Sequence, residues 1–247
     1  MQRRSALLFV VVAGLLAIPA VVYDVYYSKL LGEPIWLYRI RAVPGSELLA
    51  SLAGFLAGWA QVRATPHLKL SALGRRFLIP LVLSFTLALP YLKPLLRPLP
   101  SAALRDHWKD DVCLQSTSST CGPASAATIV RRLGGRLSER DLAKESFTSR
   151  SGTENWYLRR TLCRHGFKAS FVLSNPSKAP LPAIAGVRLR NLNFGHFIAL
   201  LERNGGEFVI ADPMEGLSTN KLADLEARYQ FTGFFLAVQN ENQSRPE

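Results

Sequence analysis

Apolar positions along this chain follow two regimes. Residues 1–104 carry three nearly unbroken apolar runs, Ser5 to Tyr27, Val43 to Val62 and Phe77 to Leu96. Each is about 20 residues long, the length a helix needs to cross a bilayer. From residue 105 the runs shorten and alternate with polar positions, as in an ordinary globular domain. The expected organisation is a transmembrane region over 1–104, with helices at about 5–27, 43–62 and 77–96. A globular domain over 105–239 and a disordered tail over 240–247 follow.

The middle run is the weakest, because Glu47 sits near its start. It carries Gly54 and Gly58, a small-xxx-small spacing that lets helices approach closely. The third run holds Pro80 and Pro90, which membrane helices tolerate when neighbours satisfy the freed backbone. The alternative, three buried helices of a large soluble core, fits poorly with three such runs and so few acidic residues.

In the globular part, Ala124 to Leu133 reads as a helix stopped by Gly134-Gly135. Ser138, with Asp141 three residues on, opens a second helix through a capping box. Thr153 to His165 gives a third, ended by Gly166. Strands follow at Lys168–Leu173, Ala183–Leu189, His196–Glu202, Glu207–Ala211 and Gly233–Val238. Asn204-Gly205-Gly206 is a tight hairpin signal between two of them. Helices first and antiparallel strands after is an α+β pattern.

Charge sharpens the topology. The chain of 247 residues has a formal net charge of +12. Residues 1–104 hold 11 of the basic side chains and 3 of the acidic ones. Basic residues beside apolar runs set orientation and meet anionic lipid. No basic stripe interleaved with aromatics marks a nucleic-acid surface. Arg3 and Arg4 precede the first run; Arg63, Lys69, Arg75 and Arg76 separate the second from the third. Placing both sets in the cytoplasm leaves the globular domain outside it, in a bacterial-type inner or cytoplasmic membrane. Lys29, Arg39 and Arg41 oppose this slightly. A cleaved signal peptide in place of the first helix would keep the same final side.

The candidate chemistry sits in three places. Gln115-Ser-Thr-Ser-Ser-Thr-Cys121-Gly122-Pro123-Ala124 puts a thiol on a Gly-Pro turn where a helix begins. The positive end of the helix dipole favours the thiolate, and Pro123 fits a first turn where its missing N–H costs nothing. Gly195-His196 opens a strand, and Asp212-Pro213 closes the next. A histidine beside the thiolate would form an ion pair and then protonate a leaving amine. Asp212 would orient that imidazole. Gln115, with the backbone N–H of Cys121, would supply an oxyanion hole. Cys, His, Asp and Gln in this order are the parts of a papain-like cysteine hydrolase.

Folding the hairpin about Gly205-Gly206 pairs residues whose numbers sum to about 411. His196 then lies roughly 10 Å along the strands from Asp212, about three positions off. A bulge or register change has to close that gap and bring both to one face.

These residues resemble the peptidase C39 family, papain-like proteases that cut leader peptides after a double glycine. The resemblance covers roughly Val112 to Val238. It rests on Gln115-x5-Cys121-Gly122-Pro123-Ala124, His196-Phe-Ile-Ala-Leu and Asp212-Pro213, with weaker support from Leu142-Ala and Leu162-Cys-Arg-His-Gly166-Phe. It implies Cys121 as nucleophile, His196 as general base and acid, Asp212 as its orienting partner and Gln115 as oxyanion donor. It also implies a peptide or protein substrate and an export or secretion setting. Three departures stand out: Thr120 precedes the nucleophile where an acidic residue is frequent, no Walker sequence or ATP-binding domain is present, and the expected side of the membrane differs from that of exporter peptidase domains.

Cys113 and Cys163 would form a disulfide outside the cytoplasm, or remain two unrelated buried thiols. The Cys and His residues lack the clustered spacing of a zinc site, and the chemistry requires no metal or cofactor. His67, His107 and His165 receive no catalytic role. The reading is a membrane-bound thiol protease, set against three rivals: a non-cleaving peptide-binding module, a transamidase on the same thioester chemistry, and a structural subunit of an export complex.

Overall fold

The computed structural model describes residues 32–48, 91–190 and 194–240, together with residues 11, 12, 15 and 54. The three apolar runs lie outside the described residues apart from short pieces, as does the tail over 241–247. Among the described residues no helix is long and apolar enough to cross a membrane. The chain divides into two compact units, Met1–Leu92 and Lys93–Glu247. The described residues of the first include a short helix, α1 (Ile35–Arg41), which buries Leu37 and pairs Arg41 with Glu33.

The second unit begins with the proline-rich stretch after Leu96, which is fastened to it. Arg97 C=O accepts the Arg150 N–H at 2.9 Å, and Pro98 bridges Ser149. A hairpin of β1 (His107–Lys109) and β2 (Val112–Leu114) follows. Its two turn residues, Asp110 and Asp111, both have positive φ, as a tight turn of this hand requires.

Three helices come next: α2 (Cys121–Arg132), α3 (Glu139–Glu145) and α4 (Asn155–Arg164). Helix α2 buries every residue from Gly122 to Val130, so small alanines and serines dominate it. It ends at Gly134, φ +81°, and the Gly135 N–H reaches back to Val130 C=O at 2.9 Å. A Cβ on Gly135 would come within 2.7 Å of the Phe167 ring, so glycine is needed there for packing as well. Helix α3 starts as expected, with the Asp141 N–H donating to Ser138 Oγ at 3.0 Å.

The strands are β3 (Phe167–Leu173), β4 (Ala183–Leu189), β5 (Gly195–Asn204), β6 (Glu207–Asp212), β7 (Gly216–Lys221) and β8 (Tyr229–Asn240). They form one sheet in the order β3-β8-β4-β5-β6-β7, antiparallel throughout. The short helix α5 (Leu222–Arg228) links β7 to β8. The α+β expectation holds. Strand β7 and helix α5 add to it: β7 is a largely exposed polar edge, and α5 buries Leu225 alone, so neither leaves an apolar period in the sequence. Strand β8 starts four residues earlier than expected, because Gly233, φ +79°, sits inside it.

The sheet has two covered faces. Ser125 Oγ of α2 donates to Phe197 C=O at 3.2 Å, and the Phe197 ring stands 3.4 Å from the point where a Gly122 Cβ would be. Phe197 therefore faces α2. The alternate residues Ile198 and Leu200 join Val187, Ile210, Phe235 and Leu225 in an apolar cluster on the other face.

Candidate active site

The nucleophile candidate is placed by local bonds. Cys121 is the first residue of α2 and half-buried. The six residues before it form a loop in which the side chains of Ser116, Thr117, Ser119 and Thr120 have fixed partners. The Gln115 N–H donates to Pro213 C=O at 2.9 Å, which ties the loop to the residue after Asp212. The Ser116 N–H donates to Glu139 Oε1 at 2.8 Å, and its hydroxyl donates to the other carboxylate oxygen. Thr120 Oγ1 accepts from the Thr117 N–H and donates to Thr117 C=O. Ser119 Oγ donates to Arg150 C=O at 2.8 Å. Thr120 is buried and its hydroxyl is spent inside this turn, so an acidic residue is not required there to shape the loop.

The acid–base pair is placed by sheet register. Near the Gly205-Gly206 turn the pairs are Asn204↔Glu207, Arg203↔Phe208 and Glu202↔Val209; beyond it they are Leu200↔Ile210 and Ala199↔Ala211. Leu201 is the extra residue of a bulge. Without it Asp212 would lie opposite Ala199, on the helix face with Phe197. With it, continuing the ladder puts Asp212 opposite Ile198, on the face of His196. The two are then diagonal neighbours, within reach of an imidazole. His196 Nε2 donates to Asp212 Oδ1 at 2.9 Å, and the two side chains are only 1 % and 3 % exposed. The gap expected from the sequence is thus closed by the bulge.

With Nε2 committed to Asp212, the other ring nitrogen is left for the thiol, and Cys121 lies close enough to His196 to act on its charge. Burial works against the charged imidazole, yet the hydrogen bond to Asp212 and the nearby Cys121 outweigh it. They push the His196 pKa up from 6.5 to about 9. Asp212 is also buried, which disfavours its charge. Hydrogen bonds from His196, Tyr229 and the Met214 N–H overcome that and hold it below the usual carboxylate range. The arrangement suits a thiolate–imidazolium pair oriented by a carboxylate.

Gln115 is half-buried, and its Oε1 is buried with no hydrogen-bond partner among the described residues. The amide oxygen is therefore not spent on a hydrogen bond of the fold. Of the two alternatives for Cys113 and Cys163, a disulfide or two separate thiols, the structure has the second; all three cysteines are free. Cys113 is fully buried on β2, where its N–H donates to Thr128 Oγ1, and burial pushes its thiol pKa up; Cys163 lies on the exposed side of α4. No group of residues suited to a metal occurs among the described residues.

The family profile of peptidase C39 matches residues 109–243 of this chain, more than half its length. The chain belongs to the peptidase C39 family. An uncharacterised protein of Methanothermobacter marburgensis is 32% identical over 127 residues, covering 51% of this chain and 87% of the relative. The lactococcin-G-processing and transport ATP-binding protein LagD of Lactococcus lactis is 24% identical over 140 residues, 55% of this chain and 20% of LagD. Among solved structures, the peptidase domain of Streptococcus ComA, a bifunctional ABC transporter, aligns with 54% of this chain and 98% of that domain (18% identity, TM-score 0.46). A double glycine motif protease from an AMS/PCAT transporter, in complex with its leader peptide, aligns with 52% and 90% (22% identity, TM-score 0.46).

Two residues of this C39 site carry no sequence signal strong enough to single them out. Tyr229, 1 % exposed, donates its hydroxyl to Asp212 Oδ2 at 2.5 Å. The alternation Tyr229-x-Phe231-x-Gly233-x-Phe235 would have reached it, had the glycine been read as internal to the strand. Glu139, fully buried, holds Ser116. In sequence it is one more acidic residue of a helix first turn, which is ordinarily solvated.

Proposed function

We propose that this chain is a membrane-bound cysteine peptidase that hydrolyses a peptide bond through Cys121, His196 and Asp212. The observation that carries this reading is the buried His196–Asp212 pair, its imidazole hydrogen-bonded at 2.9 Å, with Cys121 at the start of α2 acting on its charge. The Cys121 thiolate adds to the carbonyl carbon, and the oxyanion takes hydrogen bonds from the Cys121 N–H and the Gln115 amide. Imidazolium His196 gives its proton to the leaving amine, and a thioester remains. His196 then takes a proton from water, which attacks the thioester; the acid is released and the thiolate–imidazolium pair restored. Asp212 keeps Nε2 donating, so that the other nitrogen always faces the sulfur.

The substrate class follows from what the relatives are named for. LagD processes and transports, and the AMS/PCAT protease is held with a leader peptide. Leader-type peptides with a double glycine are the first substrates to test on this chain. Its own apolar runs would anchor it, with the peptidase unit outside the cytoplasm, beside an export or secretion system. The test is incubation of the full-length protein with such peptides, followed by product masses, with Cys121→Ala in parallel. Cleavage by the wild type alone is expected; binding without cleavage by both would overturn the hydrolase reading. A phosphatase fused after Leu104 should be active, and an inactive fusion would overturn the outside placement.

A further inference from the structure

We infer that Tyr229 is a positioning residue for the reaction, the fourth member of the line Cys121–His196–Asp212–Tyr229, and that its hydroxyl sets how tightly Asp212 holds the His196 proton. This rests on the triad reading above and goes beyond it.

The geometry leaves the hydroxyl one role. Asp212 Oδ1 accepts from His196 and from the Met214 N–H; Oδ2 accepts from Tyr229 at 2.5 Å. Tyr229 is the first residue of β8, paired with Leu189 of β4, so a central strand fixes its position. Burial and the adjacent carboxylate push its phenol pKa up, so it stays protonated and donates to a carboxylate that can only accept. The other charged groups facing this cluster are Cys121 from α2, Arg228 from α5 and Glu215 from the turn after β6. Arg228 stands 3.8 Å from Oδ2, but its guanidinium is bonded to Glu215 and 44 % exposed, so water screens it. The tyrosine hydroxyl is thus the close donor to Oδ2.

A donor on Oδ2 spreads the carboxylate charge away from the oxygen that holds the imidazole. His196 is then a stronger acid than a bare buried aspartate would leave it, and gives its proton to the amine more readily. Removing the hydroxyl should make His196 more basic. Removing the carboxylate charge should make it less basic. The opposite signs separate this role from a structural one, since a loosened site would release His196 towards its ordinary value in both cases.

The test uses the full-length protein with its four histidines labelled with nitrogen-15, and follows the His196 ring signal with pH. The wild-type midpoint is expected near 9. Asp212→Asn should lower it, and Tyr229→Phe should raise it and cut amide hydrolysis about tenfold with KM little changed. Should Tyr229→Phe fail to fold, 3-fluorotyrosine at position 229 keeps the hydroxyl, makes it a stronger donor and should lower the midpoint. Arg228→Gln should move it least. An unmoved or lowered midpoint in Tyr229→Phe, or a larger shift from Arg228→Gln, overturns the role of Tyr229 while the triad stands. No response to Asp212→Asn overturns the triad, and this inference with it.

Discussion

The two halves of the candidate site are built by different means. The nucleophile half is local: residues 115–121 form a loop whose serines and threonines bond within it, to Glu139 and to Arg150, and the helix starts at the thiol. The acid–base half is non-local. His196 and Asp212 meet because one extra residue in β5, Leu201, changes which face of the sheet Asp212 is on. A mostly local half depends on a few distant anchors, here Glu139, Arg150 and Pro213, and weakens by degrees when one is lost. A half that depends on strand parity is all or nothing, because a slip of one residue sends Asp212 to the helix face.

The largest expected effect breaks the nucleophile half. Cys121→Ala should cut hydrolysis by more than about a thousandfold in a peptide-cleavage assay while leaving the fold intact. Next comes the acid–base half: Asp212→Asn should cost about 10²- to 10⁴-fold in kcat, read by steady-state kinetics. Gln115→Ala, on the nucleophile side, should lower kcat by about 10²-fold with KM nearly unchanged, as expected of a donor used in the transition state. A smaller effect is reserved for Glu139→Gln, which weakens the grip on Ser116. It should cost about 1–3 kcal/mol of stability by thermal unfolding and lower activity in the same direction as Gln115→Ala.

The pH dependence separates the halves again. His196 is held above its ordinary 6.5, at about 9, so its stabilising contribution is complete below about 6.5 and is lost as pH rises through about 9. Asp212 is held below its ordinary range, so its contribution is present above that range and is lost as pH falls through its lowered folded value. The melting temperature should therefore fall on both sides of a plateau. Asp212→Asn should flatten both sides, the acid one by removing its own carboxyl and the alkaline one by releasing His196, whereas Gln115→Ala should leave both slopes as they are.

The same division governed what could be read from the residues. Cys121 on its Gly-Pro turn, the Ser138 cap and the hairpin turn at Gly205-Gly206 are short-range features, and each was legible. The register was legible only as a requirement. The turn fixes a sum of 411, which fails to bring His196 to Asp212, so a bulge was demanded without its position being known. Leu201 looks like any other apolar strand residue. Tyr229 lay behind a glycine that reads as a strand break. Glu139 is buried only because α3 packs its first turn on the Ser116 loop, a tertiary fact with no local mark. Sequence leaves a disulfide and two separate thiols both open for Cys113 and Cys163, because the burial of one and the exposure of the other are tertiary facts.

The measurement that tests most directly whether the two halves act as one site is thiol-probe labelling of the full-length protein at neutral pH, mapped by mass spectrometry, in the wild type and in His196→Ala. The expected result is fast labelling at Cys121, with Cys113 protected by burial and Cys163 slow, and loss of the Cys121 reaction without His196. Labelling of Cys121 that is slow, or indifferent to His196, would mean that no thiolate is stabilised by the imidazole, and would contradict the proposed peptidase site.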